Sequence, residues 1–136
     1  MRVTAEAFEA MVREHIPMSQ MLDFAVERME AGEAEVRLRF GPLLSRPGGI
    51  ISGPSMMILA DTALFAAVVS EVGLGVKVAT TSLNFSFLKG APQVDLLGKA
   101  RLIKRGRRSA YGEIVITSGE DPEPVCHATG SYAIWS

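Results

Sequence analysis

GPSMMILADTALFAAVVSEV, residues 53–72, sets the architecture of the chain around it. Met56 to Ala60, Ala63, Leu64, Phe65 and the run from Ala66 to Val69 cover it on every side. A helix that is apolar all round has to be enclosed by other structure. Ser52 is placed to cap its start, and Pro54 fits the first turn, where its missing N–H is not needed. Asp61 is the only charged residue between Gly53 and Ser70. The nearly uncharged segment from Pro47 to Ser70 therefore reads as a buried core helix more than a membrane span.

Outward from this helix, the chain supplies what encloses it. On the N-terminal side, Thr4 caps a short amphipathic helix over Ala5 to His15, with Phe8, Met11 and Val12 on one face and Pro17 as its stop. Two strands follow, Asp23 to Glu30 and Glu33 to Phe40, joined at Ala31-Gly32. The second alternates Ala34, Val36, Leu38 and Phe40 against Glu35, Arg37 and Arg39. Gly41 to Ile51 is rich in Gly and Pro and reads as a loop. After the helix, Val76 to Leu88 places Ala79, Thr81, Leu83, Phe85 and Phe87 on one face, with Thr80, Ser82, Asn84 and Ser86 on the other. Three more strands end near Trp135, and their apolar faces carry Gly98 and Ala100, Ala110 and Gly112, Ala128 and Gly130. Glycine weakens a strand unless something must approach closely, and the apolar helix is the natural visitor. The expectation is one α+β domain over residues 1–136. Its parts are an N-terminal helix within 1–16, two strands within 23–40, the helix at 53–72 and four strands within 76–135. Together they form an antiparallel sheet of about six strands curled around one central helix.

Composition narrows the function classes. Of 136 residues, 48% are hydrophobic and 21% charged, a folding globular composition. The net charge of -1 offers no bulk attraction to nucleic acid or to an anionic membrane. Cys126 is the only cysteine, which excludes an intramolecular disulfide and a cysteine metal cluster and fits a reducing cytoplasm. No metal or cofactor is expected. His15 and His127 lie far from the helix in sequence, so a Ser-His or metal site has little to work with, and His127 falls on the polar face of the last strand.

Asp61 is the sharpest chemical feature. A charge buried without a partner costs several kcal/mol, or the group changes protonation instead, and such acids gather at functional sites. The competing reading is structural, a carboxylate bonded to backbone or to a partner subunit. The second feature is the helix N-terminus, where free N–H groups near Gly53 and Ser55 form a natural oxyanion or thioester-carbonyl site, though every helix has such an end. Gly53 and Asp61 are separated by about 12 Å of helix at 1.5 Å per residue. One carbonyl cannot touch both ends, since catalytic contacts are about 3 Å long. If both act on one substrate, they come from two subunits whose central helices run antiparallel. The turn Lys104-Arg105-Gly106-Arg107-Arg108 either grips phosphates or is a solvated hairpin.

The order and spacing of five short segments resemble the hotdog-fold thioesterases of the phenylacetic-acid-degradation (PaaI-like) group. They are Gly49-Ile50-Ile51-Ser52-Gly53-Pro54, Leu59-Ala60-Asp61-Thr62-Ala63, Thr80-Thr81-Ser82-Leu83-Asn84-Phe85, Lys104-Arg105-Gly106-Arg107-Arg108 and Ala128-Thr129-Gly130-Ser131-Tyr132. The resemblance spans Gly41 to Trp135 and implies a hotdog fold that hydrolyses acyl-CoA without metal or cofactor, coenzyme A entering only as part of the substrate. It implies Asp61, as general base on water or as nucleophile, and the Gly53 N–H as the catalytic pair, shared across a homodimer that commonly pairs again into a tetramer. It further implies Arg46, Ser52, Ser55, Thr80 and Thr81 at the substrate, and Gly106, Arg107 and Arg108 at coenzyme A. Three positions depart from the pattern: Arg46 stands where the group often has Asn, and Ser52 and Pro54 flank Gly53 where it commonly reads His-Gly-Gly. A non-catalytic acyl-CoA-binding protein is the alternative. A hotdog dehydratase would need a histidine near the helix.

Overall fold

The computed structural model describes residues 3–135. Met1, Arg2 and Ser136, at the limits of the expected domain and of its N-terminal segment, lie outside the described residues. Helix α1 spans Ala5–His15, followed by a 3₁₀ turn at Pro17–Met21 and strands β1 (Phe24–Glu30) and β2 (Glu33–Leu38). A second 3₁₀ turn (Pro42–Leu44) and the short strands β3 (Ser45–Arg46) and β4 (Ile50–Ile51) lead into α2 (Gly53–Val72). Strands β5 (Lys77–Phe87), β6 (Leu96–Arg105), β7 (Ser109–Ser118) and β8 (Pro124–Trp135) complete the chain. Apart from the β3–β4 pair, the strands form one six-stranded antiparallel sheet in the order β1-β2-β6-β7-β8-β5. This is the hotdog fold, a curved sheet around α2.

Local chemistry explains the helices. The Thr4 hydroxyl accepts from the Ala7 N–H at 3.1 Å and starts α1, which buries Phe8 and Val12. Ser52 caps α2 by accepting from the Ser55 N–H, and Gly73, at φ 91°, closes it in a conformation suited to glycine. By length and composition α2 could cross a membrane, but here the sheet covers most of it. The sheet side of α2 is buried from Met56 to Val69, while Pro54, Met57, Ile58, Asp61 and Phe65 form a stripe left partly open.

The small residues of the sheet seat this helix. A Cβ at Gly98 would lie 3.1 Å from Leu59, and one at Gly112 would lie 2.8 Å from Leu64. The two leucines thus occupy the space that strand side chains would fill.

Two expectations are revised. The Gly41–Ile51 loop contains a 3₁₀ turn and the β3–β4 hairpin, reversed by Gly48 and Gly49 at φ 101° and 72°. More important for function, β5 does not alternate evenly. Thr80 pairs with Tyr132 and Ser82 with Ser131, so Thr81 is an extra residue, a β-bulge. Beyond it, Leu83, Phe85 and Phe87 share the inner face with Thr80, the position that even alternation placed on the polar side.

Candidate functional site

Asp61 sits half-buried in the open stripe of α2. Its Oδ1 accepts two hydrogen bonds, from the Tyr132 hydroxyl at 2.6 Å and from the Thr80 hydroxyl at 2.9 Å. The Tyr132 hydroxyl also lies 3.2 Å from the Asp61 carbonyl. Burial, and then the adjacent carboxylate, push the Tyr132 phenol well above its ordinary pKa, so it remains a donor. No hydrogen bond reaches Oδ2 among the described residues. Asp61 is therefore neither the unpartnered buried charge nor the fully satisfied structural residue weighed from sequence. One oxygen is held, and the other accepts no hydrogen bond among the described residues.

The bulge at Thr81 creates this arrangement, because it turns Thr80 inward while the Thr81 hydroxyl donates to the Ser131 carbonyl at 3.1 Å. The structure thus brings Thr80, and not Thr81, to Asp61. Tyr132 was not recognised from sequence as a partner. Its place on the inner face of β8 carried the signal, since a buried phenol needs an acceptor and Asp61 is the charged residue between Gly53 and Ser70 on the helix opposite. A Tyr132→Phe variant is expected to lower kcat about tenfold with little change in KM, the loss of one hydrogen bond to a charged group, measurable by steady-state kinetics.

Asp61 borders an apolar cavity of about 200 Å³ between α1, the Pro17–Met21 turn and α2. Phe65 stacks on Tyr132 with ring centroids 6.0 Å apart and meets Phe8 edge-on at 5.1 Å, which fixes the floor beside the carboxylate.

The other end of α2 is built differently. The Ser52 and Ser55 hydroxyls lie 2.7 Å apart, Ser55 Oγ donates to the Leu44 carbonyl at 3.3 Å, and the Ser55 N–H is taken by Ser52. Ser55 is buried, so it shapes the cap and offers no free N–H, contrary to the sequence expectation. The Gly53 N–H has no hydrogen-bond partner among the described residues. It opens on a cavity of about 410 Å³ bordered by Arg46, Ile51, Phe87 and Lys89. Lys89 is paired with Asp121 at 3.1 Å and Glu123 at 3.5 Å, whereas Arg46 is exposed and unpaired among the described residues. The Gly53 and Asp61 cavities share no lining residue, as the helical separation of about 12 Å requires.

Gly106, Arg107 and Arg108 form the β6–β7 turn, closed by the Gly106 N–H on the Ser109 carbonyl at 2.8 Å. The side chains of Lys104, Arg105, Arg107 and Arg108 are exposed, with no ion pair among the described residues. Ala110 pairs with Tyr132, so Arg108 precedes by two residues, about 7 Å, the β7 position beside Tyr132 and Asp61.

His127 lies on the outer face of the sheet, 3.1 Å from Glu113, whose carboxyl is held below its ordinary range by that histidine and by Arg101. A His127→Ala variant is expected to keep its turnover within twofold, by steady-state assay, because the imidazole is across the sheet from Asp61. Among the described residues no group of three or more His, Cys, Asp or Glu gathers as a metal site.

The model of the thioesterase superfamily matches residues 48–125. A protein of Silicibacter sp. TM1040 assigned as a thioesterase is 34% identical, with a TM-score of 0.89 over 100% of this chain and 95% of that one. The PaaI protein of the E. coli phenylacetic acid degradation operon shares the fold at 19% identity, with a TM-score of 0.84 over 97% of this chain and 94% of its own. A Haemophilus influenzae thioesterase does so at 17% identity, with a TM-score of 0.88 over 100% and 93%. Comparison with curated proteins finds no match. By the family model and by its likeness to the Silicibacter protein, the chain belongs to the thioesterase superfamily, whose chemistry is the hydrolysis of acyl thioesters.

Proposed function

We propose that this chain is an acyl-CoA thioesterase whose site is shared between two subunits. The observation that carries the reading is the Asp61 carboxylate at the border of an apolar cavity, with Oδ1 held by Tyr132 and Thr80 and no hydrogen bond to Oδ2 among the described residues. A protein that only bound acyl-CoA would have no use for a carboxylate kept half free. In the proposed reaction Oδ2 takes a proton from water as the water oxygen attacks the thioester carbonyl carbon. The Gly53 N–H of the second subunit, at the positive end of α2, stabilises the oxyanion. The carbon–sulfur bond then breaks, and the proton passes to the departing CoA thiolate. The unpaired cations of the 105–108 turn are placed for the nucleotide phosphates, and Arg46 and Ser52 border the Gly53 end.

Edge strand β5 supports the dimer. It runs 11 residues at the end of the sheet with one backbone side unpaired, and no charged residue follows Lys77 until Lys89. Phe87, Leu88 and Met57 are 49%, 53% and 40% exposed beside it. Such an edge calls for a second strand. Pairing again into a tetramer, and a cytoplasmic setting consistent with the buried free Cys126, complete the proposal.

The test is complementation. Gly53→Pro removes the N–H at a position where proline suits a helix start, and Asp61→Asn removes the base. Refolded together in equal amounts, two inactive variants should regain about a quarter of wild-type turnover, since half the dimers are mixed and each has one intact site. Turnover is read as thiol released from a panel of acyl-CoAs. Cys126 will not contribute, because burial pushes its thiol up. No recovery would remove the shared site, and no wild-type turnover on any acyl-CoA would remove the enzyme.

A further inference from the structure

We propose that the chamber between α1, the Pro17–Met21 turn and α2 is the acyl pocket, that it takes an uncharged acyl group of up to about eight carbons, and that Arg13 is the positioning residue that holds its wall. The inference rests on Asp61 as the reacting end described above and goes beyond it to the substrate class.

The lining is apolar in chemistry as well as in composition. Val12, Ile16, Leu22, Phe24, Ile58 and Phe65 supply most of it. The two hydroxyls that also line it are spent on backbone, Ser19 on the Val12 carbonyl at 3.1 Å and Thr62 on the Ile58 carbonyl at 2.8 Å. Asp61 is the charged group at its border, and no cation lines it among the described residues, so an acyl chain ending in a carboxylate meets repulsion there. An apolar cavity of about 150 Å³ accommodates benzene, about 25 Å³ per carbon. On that scale the chamber's volume of about 200 Å³ holds about eight carbons, as a straight chain or a single ring with a short arm.

One wall is chain segment 18–24, which has little regular structure of its own beyond the 3₁₀ turn. Arg13 gathers it. The guanidinium Nη1 donates to the carbonyls of Ser19 and Leu22, the latter at 2.8 Å, and Nη2 donates to Phe24 at 3.2 Å. The guanidinium carbon also lies 4.1 Å from the Phe24 ring centroid. A planar fork can collect three carbonyls at once, and a lysine ammonium cannot match that geometry. Arg13 does not line the chamber, so it acts through the wall.

The experiment measures binding of non-hydrolysable S-alkyl-CoA thioethers, ethyl to dodecyl, by calorimetry, alongside kcat/KM for the matching acyl-CoAs. Affinity should rise about fourfold per methylene up to six to eight carbons and then level or fall. Ile58→Trp, which fills the chamber from its half-open side, should lower the hexyl-to-ethyl affinity ratio at least tenfold. Arg13→Gln should flatten the gain per methylene, with partial recovery in Arg13→Lys, whereas a purely structural role would lower the melting temperature and leave that gain intact. Affinity independent of chain length, a rise continuing through dodecyl, or an unaltered ratio in Ile58→Trp overturns the pocket. Turnover without chain-length preference sinks the pocket and spares the enzyme. Chain-dependent thioether binding without turnover does the reverse, and no binding with no turnover removes both.

Discussion

Asp61→Asn is expected to lower kcat by about 10²- to 10⁴-fold while the protein stays folded. Asparagine keeps the size of the side chain, and its carbonyl oxygen can still accept from Tyr132 at the Oδ1 position and from Thr80. The loss to stability is the difference between a charged and a neutral acceptor, about 1 kcal/mol. The loss to chemistry is the proton acceptor itself, since an amide cannot take a proton from water. Thiol release measured beside a thermal melt separates the two quantities. An Asp61→Asn protein that hydrolyses acyl-CoA at the wild-type rate would dismiss the carboxylate as the base, whatever the fold.

The second large effect is expected at Gly130. A Cβ there would lie 2.4 Å from Leu83 Cδ2, 2.8 Å from the Ser82 carbonyl oxygen and 3.0 Å from Leu64 Cδ2. The leucine ends can rotate away, but the Ser82 oxygen is backbone and follows directly on the Thr81 bulge. Gly130→Ala should therefore cost about 1–3 kcal/mol, as overpacked cores do, read from the urea midpoint at constant slope. Gly98→Ala is the control, because its contacts at 3.1–3.5 Å are all with the flexible side chain of Leu59, and it should cost less. If the bulge is pushed out of register, Thr80 leaves Asp61 and kcat falls as well. An alanine tolerated at 130 without loss of stability would mean that β5 and β8 can separate freely at this point.

Much of the architecture was legible because its causes are local. The Ser52 cap, the proline in the first turn and the unbroken apolar surface specify α2 and require that it be enclosed. Strict alternation specifies β2, and its ion pairs, such as Arg37 with Glu27 at 2.6 Å, lie on the outer face as the pattern implies. The gap between Gly53 and Asp61 follows from helical rise alone.

What stayed hidden depends on pairing between distant segments. Even alternation put Thr80 on the wrong face, because a bulge is set by how β5 registers with β8 and by nothing in the Thr80-Thr81 dipeptide. Tyr132 enters the sequence reading only within the segment Ala128-Thr129-Gly130-Ser131-Tyr132, and not as the holder of Asp61, 71 positions away. The acyl chamber was invisible, since its wall is irregular chain held by one arginine's hydrogen bonds to carbonyls. Cap chemistry and periodicity act within a few residues, so the chain alone specifies a buried helix with one acid between Gly53 and Ser70 and strands to wrap it. Which oxygen of Asp61 is held and what space lies beside it depend on register and packing between segments far apart in the chain, and so emerge only in the folded molecule.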